Sequence, residues 1–361
     1  MIIKSLKLKN FRNYDLLDLK FDSATNIFYG DNAQGKTNIL EAVYLSGTTK
    51  SHRGTKDRDL IRFERDESHI EAVIEKRGIP FQIDLHLKKN SPKGIAINKI
   101  PIKKASELFG IINIVFFSPE DLNIIKNGPS ERRRFMDMEL AQLDKIYLNN
   151  LSNYNRIVNQ RNHLLKDTYH KGNIEDTLDI WDEQLISYGD KVIKRRNKFI
   201  EEINELISKT HNKLTGNKEN LVLSYESSIK HLTLEQAVKR NRKRDMKIKN
   251  TSCGPHRDDI CFTIGDMDIR KFGSQGQQRT AALSLKLSEI DLVKQLINDK
   301  PILLLDDVLS ELDKHRQNYL LDSINDIQTL ITCTGLDEFV NHRFSINKLF
   351  RVESGIVAKE N

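Results

Sequence analysis

The segment GDNAQGKT, residues 30–37, constrains this chain most, because it matches the phosphate-binding pattern G-x-x-x-x-G-K-[ST]. It lies between an apparent strand, NIFYG, and a segment with helical apolar spacing, KTNILEAVYLSG. Glycines let backbone N–H groups point at phosphate oxygens, and the helix N-terminus adds partial positive charge. We predict that the following residues bind the nucleotide, with Lys36 acting catalytically on the phosphates and Thr37 binding Mg²⁺: Gly30, Asp31, Asn32, Ala33, Gln34, Gly35, Lys36 and Thr37.

A second motif supplies two carboxylates. The apolar run PILLL reads as a buried strand that ends in Asp306 and Asp307. We predict that Asp306 lies on the Mg²⁺ side and that Asp307 is the catalytic base that orients the attacking water. Either motif alone could be a strand followed by a turn, but together they indicate nucleotide hydrolysis. No base-reading NKxD segment follows, which favours ATP over GTP.

The segment SQGQQ, residues 274–278, begins a long apparent helix shortly before that strand. A serine hydroxyl, a glycine and a helix N-terminus form another anion site, here Ser274, Gln275, Gly276 and Gln277. The segment resembles the SGGQ signature of ABC-type ATPases, where this loop caps the γ-phosphate bound by a second copy. That resemblance implies an isologous homodimer closing on two ATP molecules. In isolation, a polar helix cap with a flexible glycine would be the default interpretation of this segment.

Two further segments resemble parts of ABC-type ATPases. SELD contains Ser310 and Asp313 and looks like the D-loop that touches the partner subunit, although Ser310 could simply cap a helix. LITCT occupies the place of the transporter switch histidine, so Thr332 or Thr334 would have to serve there. The counterpart of the transporter Q-loop glutamine is not obvious, and FFSPED stands near its expected place.

The spacing of the nucleotide motifs indicates how the chain is organised. Lys36 and Asp306 are 270 residues apart (306 − 36), and the gap is rich in charged residues at amphipathic helical spacing. Two long helices, ERRRF…LLK and DIWDE…NKL, would form an antiparallel arm with a break at TYHKGN. We predict an α/β, ABC-type P-loop ATPase head formed by both ends of the chain, with a mainly helical arm inserted. The expected domains are 1–120 and 250–361 for the head and 121–249 for the arm.

The charge balance leans towards a polyanionic partner. Lys and Arg number 58 against 51 Asp and Glu, a formal net charge of +7. The segment KRNRKRDMKIK and two shorter clusters could neutralise DNA phosphates without reading sequence, or they could be solvated helix faces. The candidate DNA contacts are Arg132, Arg133, Lys194, Arg195, Arg240, Arg242, Lys243 and Arg244. Arg12 and Arg53, near the phosphate loop, could touch nucleotide or DNA.

The cysteines and the apolar runs indicate the cellular compartment of the protein. The three cysteines are widely separated and form no CxxC pair, which indicates reduced thiols in a cytosolic protein. The apolar runs are too short to span a bilayer. We expect a soluble cytoplasmic protein without a membrane partner.

Several segments, taken in order, resemble the RecF family of DNA replication and repair proteins: LKLKNFRNY, GDNAQGKTNILEAVY, FSPEDL…GPSERRRFMD, GPHRDD, GSQGQQRT and LLLDDVLSELD. The related SMC proteins carry much longer coiled coils between the same halves. The resemblance implies an SMC-like head and a weak, DNA-dependent ATPase that switches a homodimer clamp on double-stranded or gapped DNA. It also implies action with RecO and RecR to promote RecA loading and the SOS response.

Two other classes share the phosphate loop. In the nucleotide-binding subunit of a membrane transporter, a switch histidine and a Q-loop would be expected and an inserted arm would not. A P-loop kinase for a small molecule would leave SQGQQ unexplained. An ATPase switch on DNA accounts for more of the sequence than either alternative.

Overall fold

The computed structural model describes residues 1–167, 174–336 and 346–360. The strands in these ranges are β1 (Ile2–Phe11), β2 (Tyr14–Lys20), β3 (Thr25–Tyr29), β4 (Glu67–Lys76), β5 (Ile79–Lys88), β6 (Ser91–Ile97), β7 (Ile100–Pro101), β8 (Ile114–Phe117), β9 (Leu221–Glu226), β10 (Asp259–Ile264), β11 (Met267–Asp268), β12 (Ile302–Asp306), β13 (Thr329–Cys333), β14 (Lys348–Glu353) and β15 (Ile356–Glu360). The α-helices there are α1 (Lys36–Thr48), α2 (Leu122–Lys126), α3 (Pro129–Leu143), α4 (Lys145–Lys166), α5 (Ile174–Thr215), α6 (Leu234–Ile248), α7 (Ile269–Phe272), α8 (Gln275–Ile297) and α9 (Lys314–Ser323).

The chain divides into two compact units. The first contains residues 1–121 and 286–361, and the second contains residues 122–285. The predicted boundary at 249/250 differs from this division, because residues 250–285 group with the helical segment. The cause is a long-range pairing, since β10 forms an antiparallel ladder with β9 along its whole length.

The first unit contains a six-stranded, mostly parallel sheet in the order β15-β14-β3-β13-β12-β8. Its central strands are buried on both faces, which explains their continuous apolar runs. Strand β13 lies between β3 and β12. Its Thr332 pairs with Phe28 of β3 on one side and with Asp306 of β12 on the other. The carboxyl ends of β3 and β12 therefore reach the same edge of the sheet, where α/β folds bind ligands.

A second sheet in this unit is antiparallel, in the order β2-β1-β4-β5-β6-β7. The predicted hairpin around Gly78 is confirmed, and its turn residues Arg77 and Gly78 have φ values of 52° and 78°. Positive φ at both central positions is the type I′ geometry that matches the twist of paired strands. Alternating residues of β1 and β4 are buried, so the sheet covers the core with one face.

The second unit combines the arm helices with the small sheet β11-β10-β9. Helices α4 and α5 run antiparallel. Tyr147, early in α4, bonds to Arg196, whereas Arg161, late in α4, bonds to Asp182, which precedes Arg196 in α5. The predicted break at TYHKGN lies outside the described residues. The prediction of one helix over ERRRF…LLK is wrong, since the chain turns at Asp144, which caps α4 by accepting from the N–H groups of Ile146 and Tyr147.

The three cysteines are free and buried. Among the residues that the structure describes, no helix has both the length and the apolar character needed to cross a membrane. The cytoplasmic location stays a prediction.

Candidate nucleotide-binding site

The phosphate loop joins β3 to α1 and depends on two of its glycines. Gly30 and Gly35 have φ values of 145° and 112°, which side-chain-bearing residues rarely adopt. A Cβ on Gly30 would lie 2.3 Å from the carbonyl oxygen of Val352, and one on Gly35 would lie 2.4 Å from Asn13 Nδ2. Both positions thus require glycine for conformation and for space.

Neighbouring segments hold the loop in place. Asn13 Nδ2 donates to the carbonyl of Gln34 at 3.0 Å, and the Tyr14 hydroxyl donates to the carbonyl of Gly35 at 3.1 Å. From the other end of the chain, Ser354 N donates to Gln34 Oε1 at 2.5 Å. The motif LKLKNFRNY and the β14–β15 hairpin therefore support the loop from two sides. Periodicity did not reveal that hairpin or its contact.

Lys36 and Thr37 begin α1 and point into the loop region. The Lys36 ammonium donates to the carbonyl oxygens of Gly30 at 2.6 Å and Asp31 at 2.8 Å, and its side chain is almost fully buried. The Thr37 hydroxyl donates to Asp306 Oδ1 at 2.8 Å. The structure thus brings together the two side chains predicted to bind Mg²⁺, although 269 residues separate them.

Asp306 is buried, and its neighbours act on the carboxylate through hydrogen bonds and through their charge. Burial raises the pKa of Asp306 above its ordinary value, and the charge of Asp307 adds to the rise. Hydrogen bonds from Thr332 and Thr37 and the charge of Arg53 offset only part of it. The Thr332 hydroxyl donates to Asp306 Oδ1 at 2.7 Å and accepts from the Asp307 N–H at 3.0 Å. Thr332 therefore holds the Asp306 carboxylate and the Asp307 backbone, and it is one of the two threonines considered for the switch position. Thr334 is exposed.

The donor set at this edge fits a magnesium–nucleotide complex. A threonine hydroxyl and a carboxylate are oxygen ligands of the kind that Mg²⁺ takes, usually together with phosphate oxygens and water. Among the described residues, no group of three or more His, Cys, Asp or Glu side chains could hold a metal ion. A cation at Thr37 and Asp306 would need further oxygen ligands, such as phosphate oxygens and water.

The two arginines near the phosphate loop differ in their partners. Arg12 donates to both carboxylate oxygens of Glu41, at 2.8 and 2.9 Å, so it belongs to the support of α1. Burial raises the pKa of Glu41, but hydrogen bonds from Arg12 and Ser51 outweigh it and hold the pKa below its ordinary value. Arg53 is exposed, and its charge acts on Asp306. Arg53 is therefore the arginine suited to an anionic ligand.

The segment SELD follows directly on the carboxylates. Ser310 is exposed and donates to the carbonyl of Asp307 at 2.9 Å within a 3₁₀ turn. Asp313, not Ser310, caps the next helix, by accepting from Arg316 N at 3.0 Å. Ser310 as a helix cap is therefore wrong, and both residues stay exposed, as a D-loop requires.

The SQGQQ segment opens α8 with a reciprocal cap. Ser274 Oγ accepts from the Gln277 N–H at 3.2 Å, and Gln277 Oε1 accepts from the Ser274 N–H at 2.9 Å. Ser274, Gln275 and Gly276 are exposed, and the neighbouring Phe272 is 72% exposed. The segment is thus both a helix cap and an open surface at a helix N-terminus.

Comparison with known proteins identifies the family. The sequence matches the RecF/RecN/SMC N terminal domain family over residues 2–357. It is 63% identical to the DNA replication and repair protein RecF of Agathobacter rectalis over 99% of each chain, and 62% identical to that of Lachnospira eligens over 100% of each. The chain belongs to the RecF family.

Solved structures agree with this assignment. A structure of the recombination mediator protein RecF with ATP, from the RecFOR pathway, superposes with a TM-score of 0.92 at 36% identity and covers 99% of this chain and 97% of its own. The Smc head domain of Pyrococcus furiosus superposes with a TM-score of 0.56 at 16% identity, a likeness of fold alone. The α/β, ABC-type head with a helical insertion predicted from the sequence is therefore confirmed for this RecF-family chain.

Several candidate DNA contacts of the RecF-family chain are arginines whose N–H groups already donate to acceptors inside the second unit. Arg132 is buried, donates to both oxygens of Asp259 at 2.6 and 2.9 Å, and also donates to the carbonyl of Asn127 at 2.6 Å. Arg133 donates to the carbonyl of Asp258 at 2.7 Å. Arg132 as a DNA contact is wrong, because its donors are used in holding α3 against β10.

Two further candidates pair with carboxylates. Arg195 donates to Asp144 and Glu202, each at 3.1 Å, and Arg242 donates to Asp179. Such pairs compete with phosphate contacts. The candidates that remain exposed are Lys194, Arg240, Lys243 and Arg244.

Three of the exposed candidates share one face of α6. The opposite face packs inward through Leu234, Ala237 and Val238. Arg240, Lys243 and Arg244, with Lys247, follow the i, i+3, i+4, i+7 spacing that places residues on one helix face. We call these four residues the α6 basic face.

Proposed function

We propose that this chain is an ATP-dependent DNA-binding protein of recombinational repair and replication, in which weak, DNA-dependent ATP hydrolysis serves as a switch. One observation carries the proposal. The Thr37 hydroxyl from one end of the chain meets the Asp306 carboxylate from the other at 2.8 Å, the pair needed for a magnesium-bound nucleotide. The names of its relatives, replication and repair proteins, and of the similar ATP-bound recombination mediator support the same function.

Each residue of the site has a proposed task. Lys36 neutralises phosphate charge, and the backbone N–H groups of residues 30–37 bind phosphate oxygens. Thr37 and Asp306 would hold Mg²⁺, which would offset the charge of the phosphates and of the buried carboxylate. Asp307 orients the attacking water and accepts its proton, while Thr332 keeps Asp306 and the Asp307 backbone fixed.

The proposed switch is a homodimer. Ser274, Gln275, Gly276 and Gln277 of one copy would contact the γ-phosphate held by the other, and Ser310 and Asp313 would touch the partner. The exposure of Ser274, Gln275, Gly276, Ser310, Asp313 and Phe272 supports such a contact. Residues 1–120 and 250–361 would serve as the head and 121–249 as the arm. Action with RecO and RecR to promote RecA loading and the SOS response belongs to this proposal.

Sedimentation with and without ATP and gapped DNA tests the proposal. We expect a monomer without ATP, a dimer with ATP and Mg²⁺, and a larger complex when gapped duplex is added. A salt-sensitive gel shift should follow the same ATP requirement. Absence of ATP-dependent DNA binding at every salt concentration would refute the function.

Substitution of Ser274 by Arg should block the dimer without harming the monomer. The added cation lies on the exposed cap, so ATP binding by a single chain should stay unchanged while dimer formation weakens about tenfold or more, as close like-charge or steric conflicts at interfaces do. The measurement is the dimer dissociation constant by sedimentation with ATP. Ser152→Arg, an exposed serine on α4, is the matched control. Equal dimerisation of both variants would contradict action of the loop in trans.

Removal of charge from the α6 basic face should weaken DNA binding without regard to sequence. In Arg240→Ala/Lys243→Ala/Arg244→Ala, the slope of log K against log salt should fall by roughly three, since each phosphate contact contributes about one. Binding isotherms at several salt concentrations measure this slope. The control removes three exposed lysines of α4 and α5, Lys145, Lys209 and Lys213. Identical slopes in the two variants would place the DNA surface elsewhere.

A further inference from the structure

The signature-like loop is tied to the end of the longest arm helix by one carboxylate. Helix α5 is 42 residues long and ends at Thr215, and Glu219 lies in the turn that leads into β9. Glu219 Oε1 accepts from Gln277 Nε2 at 2.8 Å. The side chain that closes the cap of α8 is therefore itself held from the arm.

The other oxygen of Glu219 faces the last turns of α5. His211 Nε2 lies 3.4 Å from Glu219 Oε2, and the ring is fully buried. Its Nδ1 lies 2.9 Å from Ser284 Oγ, which donates its own proton to the carbonyl of Thr280 at 2.7 Å. Ser284 thus accepts from Nδ1–H. Glu219 therefore lies between the last turns of α5 and the first turn of α8.

The geometry of the loop depends on Gln277. Its amide oxygen accepts from the Ser274 N–H, and its own N–H donates to Ser274 Oγ. Its amide nitrogen has Glu219 as its acceptor, so the carboxylate fixes which end of the amide faces Ser274. Without that acceptor the amide can rotate, and the cap of Ser274 loses its partner.

We propose that Glu219 is a positioning residue that holds the Ser274–Gln277 cap in its active arrangement and couples it to the end of arm helix α5. A displacement at the end of α5 would then change the loop that contacts ATP in the second copy. This inference rests on the proposed function for its effect on dimerisation, but the coupling itself concerns a single chain.

The test compares Glu219→Ala with Glu219→Gln and with Glu205→Ala, an exposed glutamate on α5 that matches the charge change. In Glu219→Ala, the dissociation constant of the ATP-bound dimer should rise about tenfold, as expected for loss of a hydrogen bond to a charged acceptor. ATP affinity of the monomer should not change. Glu219→Gln keeps an oxygen for Gln277 and should recover most of the loss.

A second measurement does not need a dimer. Amide hydrogen exchange at Gln277 and Gln278 in the ATP-free chain should quicken in Glu219→Ala and stay unchanged in Glu205→Ala. If the parent protein dimerises with ATP and Ser274→Arg prevents it, yet Glu219→Ala behaves as Glu205→Ala in both measurements, the coupling is overturned. If the parent does not dimerise with ATP, the proposed function fails in that respect, and the exchange rates alone decide for or against the coupling.

Discussion

Replacement of Asp307 by Asn should lower ATP turnover by about 100-fold or more, the usual contribution of a positioned general base. ATP binding should persist, because Lys36, Thr37 and Asp306 are untouched. An amide can still hold a water molecule by hydrogen bonding but cannot take its proton at neutral pH. With hydrolysis blocked, the ATP-bound dimer should accumulate.

The Asp307→Asn substitution should leave the backbone at this position unchanged. Asp307 has a φ of 51°, in the left-handed region that Asn tolerates at least as well as Asp. The contact that fixes this backbone runs from the Asp307 N–H to Thr332 Oγ1 at 3.0 Å and does not involve the carboxylate. Loss of turnover in Asp307→Asn would therefore reflect chemistry and not misfolding.

Single-turnover hydrolysis and sedimentation with ATP measure the two expected effects together. Asp322→Asn, the same substitution at an exposed position of α9, is the control and should behave as the parent protein. Turnover at the parent rate in Asp307→Asn would remove Asp307 from the role of base. Loss of ATP binding would instead assign it to the binding of the nucleotide.

The parts of the fold that sequence predicted are those fixed by local chemistry. The phosphate loop, the apolar strand before Asp306 and the hairpin at Gly78 each depend on residues close together in the chain. A glycine with positive φ or an uninterrupted apolar strand leaves few alternatives. The phosphate loop and the strand before Asp306 together were enough to predict that Thr37 and Asp306 share one site.

The parts that sequence missed depend on distant partners. The turn at Asp144 interrupts one continuous amphipathic pattern, and only the capping contacts to Ile146 and Tyr147 reveal it. Arg132 looked like part of a basic cluster, but Asp259, 127 residues away, neutralises it. Charge clusters in a sequence do not show which cations are already paired.

The roles of Thr332 and Ser354 in positioning the site were missed because their partners are also distant in the chain. Thr332 reaches the Asp306 carboxylate and the Asp307 N–H because β13 lies between β3 and β12, a strand order that follows from no local pattern. The Ser354 contact with Gln34 likewise joins residues 320 apart. The sequence identified the candidate residues for the chemistry, whereas the residues that position them came from the fold.

Replacement of Lys36 by Ala should lower the affinity for ATP by about 100-fold, since a hydrogen bond to a charged group contributes up to about 3 kcal/mol. The ammonium is directed into the loop by the carbonyls of Gly30 and Asp31, at 2.6 and 2.8 Å, and its side chain is only 4% exposed. A charge held this way loses little freedom when it pairs with phosphate, so its contribution to binding is large. Alanine suits the first turn of α1, and the fold should persist.

Direct titration of ATP into the Lys36→Ala chain measures this loss, and sedimentation shows its consequence. Because the proposed dimer closes on bound ATP, the variant should stay monomeric at ATP concentrations that dimerise the parent. Lys50→Ala, which removes an exposed lysine just after α1, should bind and dimerise normally. A Lys36→Ala chain that dimerises with parent affinity would show that self-association does not require ATP in this loop. If the variant binds ATP weakly but still dimerises, ATP binding in this loop does not control dimer formation.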